Sequence, residues 1–97
     1  METTGIVKKV DIEVNGETEN GVWVRRGVIV QPTNSPKCLY FEFNGQDWSD
    51  RLGQLQEGQL VTVRWDCESR EYEGKWYTRL HGYGLQAYQK QQQPTQA

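Results

Sequence analysis

The feature that most constrains this chain is an alternation of apolar and polar residues with a period of two, interrupted mainly at Gly, Pro and Asn. Successive side chains of a β-strand point to opposite faces, so this alternation predicts strands with one buried and one exposed face. Strands are predicted at five places: residues 5–14, 22–31, 37–43, 59–68 and 75–88. The chain is therefore expected to be all-β.

One segment, residues 46–55, breaks the period of two. Trp48, Leu52 and Leu55 follow the spacing of one helix face, and Asp47 is a suitable N-cap residue, so a short helix is predicted. Three strands, a helix and two strands form the order of a five-stranded Greek-key OB-fold barrel. In that barrel the helix lies between strands three and four and plugs one end.

The length of 97 residues leaves room for one domain. Residues 1–88 are predicted to form the OB-fold domain, and the Gln-rich segment 89–97 is predicted to be a disordered tail because it has little apolar surface to bury. Four tryptophans and five tyrosines are many for a polar chain of this size, so some are expected outside the core.

Charge and cysteine content limit the classes of function. The formal net charge is −2, so no overall basic character marks a nucleic-acid-binding protein. Cys38 and Cys67 lack the spacing of a metal site, and the single histidine does not complete one. No nucleophile–base pair or cofactor motif is evident, so we predict a protein without enzymatic activity, metal or cofactor. Reduced thiols and an N-terminus unlike a signal peptide predict a cytoplasmic location.

Aromatic and basic residues are interleaved on faces that are predicted to be exposed. Single strands of nucleic acid bind by stacking bases on aromatic rings while cations follow the phosphates. Trp23 and Arg25 are neighbours on the outward face of the second strand, although Trp23 also fits packing under the hairpin loop. Tyr40 lies outward on the third strand and fits either a nucleic-acid surface or a subunit interface.

The hairpin between the last two strands is also aromatic and basic. It suits a clamp on a flexible strand, but cross-strand aromatic pairs that only stabilise the hairpin are the alternative. A stripe on the last strand, which includes His81 and Tyr83, fits nucleic acid or another subunit. The residues predicted to bind nucleic acid are Trp23, Arg25, Tyr40, Arg70, Tyr72, Lys75, Trp76, Tyr77 and Arg79.

Two segments resemble known proteins. Residues 55–64 resemble the step from the helix to the fourth strand in bacterial single-stranded-DNA-binding proteins. Residues 66–78, which contain the run ESREYEGKWYT, closely resemble the signature of a small, uncharacterised bacterial OB-fold family related to those proteins. The similarity includes Phe41-Glu42 and the basic residues after Trp23, and it extends over roughly residues 3–88.

This resemblance implies binding of single-stranded DNA, or of RNA, with little sequence preference, in DNA replication or repair. It also implies a homo-oligomer, a dimer or tetramer. Bacterial single-stranded-DNA-binding proteins usually end in an acidic tip, whereas no acidic residue follows Glu73, so recruitment of partners by such a tip is not expected. The alternative function is an OB-fold module for protein interaction or assembly that does not bind nucleic acid.

Overall fold

Six strands and one helix make up residues 1–88, which are the residues that the computed structural model describes. The elements are β1 (Glu2–Val10), β2 (Val14–Thr18), β3 (Gly21–Pro32), β4 (Leu39–Asn44), α1 (Gln46–Gly53), β5 (Leu60–Tyr72) and β6 (Lys75–Ala87). The segment 89–97, predicted to be a disordered tail, lies outside the described residues.

The sheet closes on itself through five of the strands. Its order is β1-β5-β6-β4-β3, and β3 pairs back onto β1, so the ring is complete. The one parallel pairing joins β4 to β6 at Glu42 and His81. β2 lies outside the ring and pairs only with β3 in the described chain. The predicted five-stranded OB-fold barrel, with its helix between the third and fourth barrel strands, is confirmed.

The inward faces of the strands and one helix residue form the core. Its fully buried members are Val7, Val28, Val30, Phe41, Phe43, Leu52, Val61 and Val63. Burial of each such side chain contributes about 1.5–3 kcal/mol, so these residues supply much of the driving force for closing the ring. The helix seals one end of the barrel, because Trp48 packs 4.8 Å from Phe43 between ring centroids. Trp48, which the spacing predicts on one helix face, thus anchors the helix to the barrel.

The start of the helix differs from the prediction. Gly45 occupies the N-cap position with φ of 109°, and no side chain caps the helix there. Only glycine adopts that backbone conformation without strain, so the sharp turn from β4 into α1 decides the boundary. The N-cap prediction for Asp47 is wrong, because Asp47 lies in the first turn, where its charge still favours the positive end of the helix.

A β-bulge changes which residues of the first strand face the core. The register of β1 against β3 shifts between Val7 and Lys9, so that Val7 is buried and Ile6 is only half-buried. The strand then ends at Val10, and Ile12 is 76% exposed. The prediction of one continuous strand over residues 5–14, with Ile6 and Ile12 on its apolar face, is therefore wrong, because one inserted residue reverses the parity.

The predicted turn is confirmed in the β5–β6 hairpin and only in part in the β2–β3 hairpin. Glu73 and Gly74 both have positive φ, 51° and 82°, as in a type I′ turn, so the predicted tip of the β5–β6 hairpin is confirmed. In the first hairpin a longer loop over residues 15–21 is predicted, yet Asn15 and Gly16 lie inside β2. The turn is confined to the residues around Asn20 and Gly21.

Glu13 joins the segment between β1 and β2 to the helix. The Ser49 hydroxyl donates a hydrogen bond to Glu13 at 2.6 Å, and the amides of Gln46 and Asn15 donate at 3.0 and 3.2 Å. These hydrogen bonds, that of Ser49 foremost, hold the pKa of Glu13 below its ordinary value of 4.5. Folding therefore favours the charged carboxylate over the protonated form.

We expect Glu13→Gln to destabilise the protein near neutral pH and to lose that effect in acid. A carboxyl whose pKa is lowered by folding stabilises the folded state above its unfolded-state pKa, and the contribution disappears as the pH falls through the folded-state pKa. Urea unfolding of both proteins at pH 7 and at several values below 4.5 tests this. A stability difference that stays constant across that range contradicts it.

Candidate nucleic-acid interface

One group of the predicted residues lies on the outer face of β3 and β4. Trp23 and Arg25 point outward from β3, and Tyr40 points outward from β4, where it is paired with Ile29. We call these three residues, Trp23, Arg25 and Tyr40, the barrel patch. The pairing of β3 with β4 runs without a bulge from Arg25 onward, and Trp23 is partly exposed in the adjoining part of β3, so the predicted outward direction of all three side chains is confirmed.

Trp23 lies over a glycine of the neighbouring strand. Gly16 is its partner in the register, and a Cβ on Gly16 would lie 2.6 Å from the indole ring. Despite this packing, 38% of Trp23 is exposed. The Arg25 guanidinium lies 5.2 Å from the ring centroid, within the range of a cation–π interaction. Trp23 therefore combines support from β2 with an accessible aromatic surface.

Tyr40 is held in one position on the same surface. Its ring covers Gly27, where any Cβ would overlap the phenol, and its hydroxyl donates to Asp11 Oδ2 at 3.1 Å. Partial burial raises the pKa of Tyr40, and the Asp11 carboxylate raises it further. The phenol therefore stays neutral at physiological pH. Asp11, which tethers it, was not among the predicted site residues.

The second group lies on a two-stranded ribbon. Beyond Asp66 and His81, β5 and β6 pair only with each other within the described chain. In that ribbon Arg70 is opposite Tyr77, Tyr72 is opposite Lys75, and Arg79 is opposite Glu68. We call the side that carries Arg70, Tyr72, Lys75, Tyr77 and Arg79 the ribbon face. It borders an open cleft of about 490 Å³, and both tyrosines are exposed.

Trp76 is not brought together with the other predicted residues. It pairs with Glu71, one position away from the pairs of the ribbon face, and so projects from the opposite side of the ribbon. It is 68% exposed there. The structure thus divides the predicted hairpin residues between two sides of one ribbon.

The barrel patch and the ribbon face meet at Arg79. This residue lines the ribbon cleft and also a second cleft of about 350 Å³, whose other members include Tyr40 and Glu42. A chain lying along the ribbon face can therefore continue onto the outer face of β4.

Carboxylates lie among these cations. Glu68 is 2.7 Å from His81 Nε2 and 3.6 Å from Arg70 Nε, and the hydrogen bond with His81 is the main cause that lowers the pKa of Glu68. Glu42 lies 4.0 Å from Arg25. The surface is therefore mixed in charge rather than uniformly basic. Sequence reasoning assigned these carboxylates no part in the site, although alternation places Glu42 on the outward face.

Residues 1–88 show no sign of a metal centre, a disulfide or a membrane-spanning helix. They contain no group of three or more His, Cys, Asp or Glu side chains placed to hold a metal ion. Cys38 and Cys67 are exposed and form no disulfide. Helix α1 is too short to cross a membrane, and it is the one helix in this part of the chain.

The barrel resembles the OB-fold of solved proteins that are described as single-stranded-DNA-binding. The mitochondrial single-stranded-DNA-binding protein Rim1 of S. cerevisiae superimposes with a TM-score of 0.62 at 15% identity, over 90% of this chain and 91% of that one. The small single-stranded-DNA-binding protein of Streptomyces coelicolor superimposes with a TM-score of 0.51 at 20% identity, over 92% and 93%. At such low identity these similarities establish the shared fold.

Residues 2–86 match the family described as Domain of unknown function (DUF3127), and this chain belongs to that family. No curated protein matches the sequence significantly.

Proposed function

We propose that this protein binds single-stranded DNA with little sequence preference, by stacking bases on exposed rings and pairing phosphates with Arg and Lys. The observation that carries the proposal is the continuity of the barrel patch and the ribbon face at Arg79. The similarity to proteins described as single-stranded-DNA-binding supports it, since both superimpose over about the whole barrel.

The two surfaces supply both interactions that single-strand binding requires, namely aromatic stacking of bases and pairing of cations with phosphates. Trp23, Tyr72 and Tyr77 offer exposed rings, and each stacked base contributes about 1–3 kcal/mol. The phosphate partners are the cations of the two surfaces, namely Arg25, Arg70, Lys75 and Arg79. A base that stacks on Trp23 takes the place of the Arg25 guanidinium, which then turns toward a phosphate. The carboxylates nearby and the net charge of −2 keep the affinity of one chain modest.

A titration with oligo-dT tests the function directly. We expect quenching of tryptophan fluorescence, because a base that stacks on Trp23 contacts its ring. We also expect the plot of log K against log salt to fall with a slope of about −3, which is about −0.7 for each of four neutralised phosphates. Duplex DNA of the same length is the control and should bind more weakly. A folded protein that neither shifts nor is quenched by oligo-dT at low salt contradicts the proposal.

That outcome would favour the second candidate, a module for protein interaction or assembly. The exposure of Trp76 favours this second function, because its large ring is exposed on the side of the ribbon opposite Tyr72 and Tyr77. Exposed aromatic residues are enriched at protein interfaces. We place the predicted self-association on this side, which leaves the ribbon face free for nucleic acid.

A further inference from the structure

Glu42 is an acceptor without a hydrogen-bond partner on the proposed binding surface. Its Oε1 atom is buried and accepts no hydrogen bond from residues 1–88. Its Oε2 atom lies 4.0 Å from Arg25 Nη1, which is longer than a hydrogen bond. An ionised carboxylate accepts several hydrogen bonds, and a buried acceptor left without one is unfavourable. Within the described part of the chain, an acceptor is therefore left unused at this position.

The surroundings of Glu42 suit one nucleobase. Glu42 and Tyr40 are two residues apart on the same face of β4, so the carboxylate lies beside the phenol ring. Both line the open cleft of about 350 Å³, and Leu39, Leu80 and Arg79 line it as well. Apolar walls, one aromatic ring and a few polar groups are typical of a small-ligand site. The terminal torsion of a glutamate is soft, so its oxygens turn readily toward the cleft.

We propose that Glu42 accepts a hydrogen bond from the exocyclic amino group of a base stacked on Tyr40, and so favours bases that carry an amino group over thymine. This inference rests on the proposed function. Cytosine presents a donor, its N4 amino group, where thymine presents the O4 acceptor. A carboxylate has no proton to offer O4, so thymine adds repulsion at this position, and its own donor, N3–H, lies at the neighbouring position of the ring. Stacking tolerates every base, and Glu42 adds a preference at one position.

The test compares oligo-dC with oligo-dT of equal length, at pH 8 and one salt concentration, by anisotropy of a labelled oligonucleotide. Both are pyrimidines, which differ at N3, at the 4-position and by the 5-methyl group of thymine, so the part of the contrast that depends on Glu42 is read from the variant. We expect the protein to bind oligo-dC about five- to tenfold more tightly, the lower part of the range for a base contact. In Glu42→Gln the amide both donates and accepts, so the preference should fall below about twofold.

Glu57→Gln is the matched control, because it removes the same charge from an exposed turn that does not line the cleft. It should strengthen binding of both oligonucleotides equally and keep their ratio. Equal affinity of the unaltered protein for the two, or a ratio that Glu42→Gln leaves unchanged, overturns the role of Glu42 while single-strand binding stands. Failure to bind either oligonucleotide overturns the proposed function, and this inference with it.

Discussion

Trp23→Ala is expected to weaken binding of oligo-dT by about 5- to 150-fold, which corresponds to the ~1–3 kcal/mol contributed by one stacked base. The ring is accessible on the outer face of β3, and it is not a member of the buried core, so its removal should leave the barrel folded. Because the substitution removes a fluorescent reporter, affinity should be measured by anisotropy of a labelled oligonucleotide, with circular dichroism to confirm the fold.

Trp76→Ala is the control that the chain itself offers. It removes the same side chain from a more exposed position, on the side of the ribbon opposite Tyr72 and Tyr77. Because we place self-association on that side, size-exclusion chromatography should compare the oligomeric states, and at the same oligomeric state we expect a change in affinity below about twofold. Equal losses in the two variants would mean that the side of the ribbon that carries Trp76 also contributes to binding. An unchanged affinity in folded Trp23→Ala would remove Trp23 from the site.

The parts of the site that sequence could predict lie on strands with unbroken alternation. In β3 and β4 the pairing runs without a shift from Arg25 to Val30, so a period of two correctly separates Val28 and Phe41 inside from Tyr40 outside. Alternation is a local property of the chain, and it fixes the face of each residue wherever one face is buried.

The errors arise where one extra residue enters a strand. The register shift in β1 near Lys8 places Val7 rather than Ile6 in the core. A second register shift lies in the pairing of β5 with β6. It places Gly84 opposite Arg64 and Gly82 opposite Trp65, which leaves Tyr83 unpaired in this ladder. Leu85 then packs against the core, whereas an unbroken period of two predicts it on the outer face with His81 and Tyr83, and that prediction is wrong. A bulge depends on how two strands fit together, and the alternation within one strand does not reveal it.

The sequence also could not predict that the barrel patch and the ribbon face adjoin each other. Arg79 and Tyr40 are far apart in the chain and line one cleft only because β4 and β6 pair at Glu42 and His81. The bond from Tyr40 to Asp11 likewise depends on how the ring closes. Sequence patterns give the faces of each strand, whereas long-range register decides which faces adjoin.

Gly82→Ala is expected to lower the stability of the protein, because the substitution lies where the barrel closes. Gly82 faces the barrel interior, and any Cβ there would overlap the ring of Phe43, which is fully buried. Inserting atoms into a packed core costs about 1–3 kcal/mol, and occasionally more. For a domain of this size that corresponds to a fall in Tm of about 5–20 °C, measurable by calorimetry.

Gly84→Ala is the comparison that separates crowding from the general effect of changing a glycine in β6. A Cβ there would lie 3.1 Å from both Cβ and Cδ of Arg64, so a shift of a few tenths of an ångström accommodates it, and Tm should fall much less than in Gly82→Ala. Because Phe43 lies one residue from Glu42, where β4 meets β6, displacing its ring should also disturb the alignment of Tyr40 with Arg79. We therefore expect Gly82→Ala, assayed well below its Tm, to bind oligo-dT more weakly than Gly84→Ala. Equal Tm values for the two variants would show that Phe43 yields without strain and that barrel closure does not depend on the empty space at Gly82.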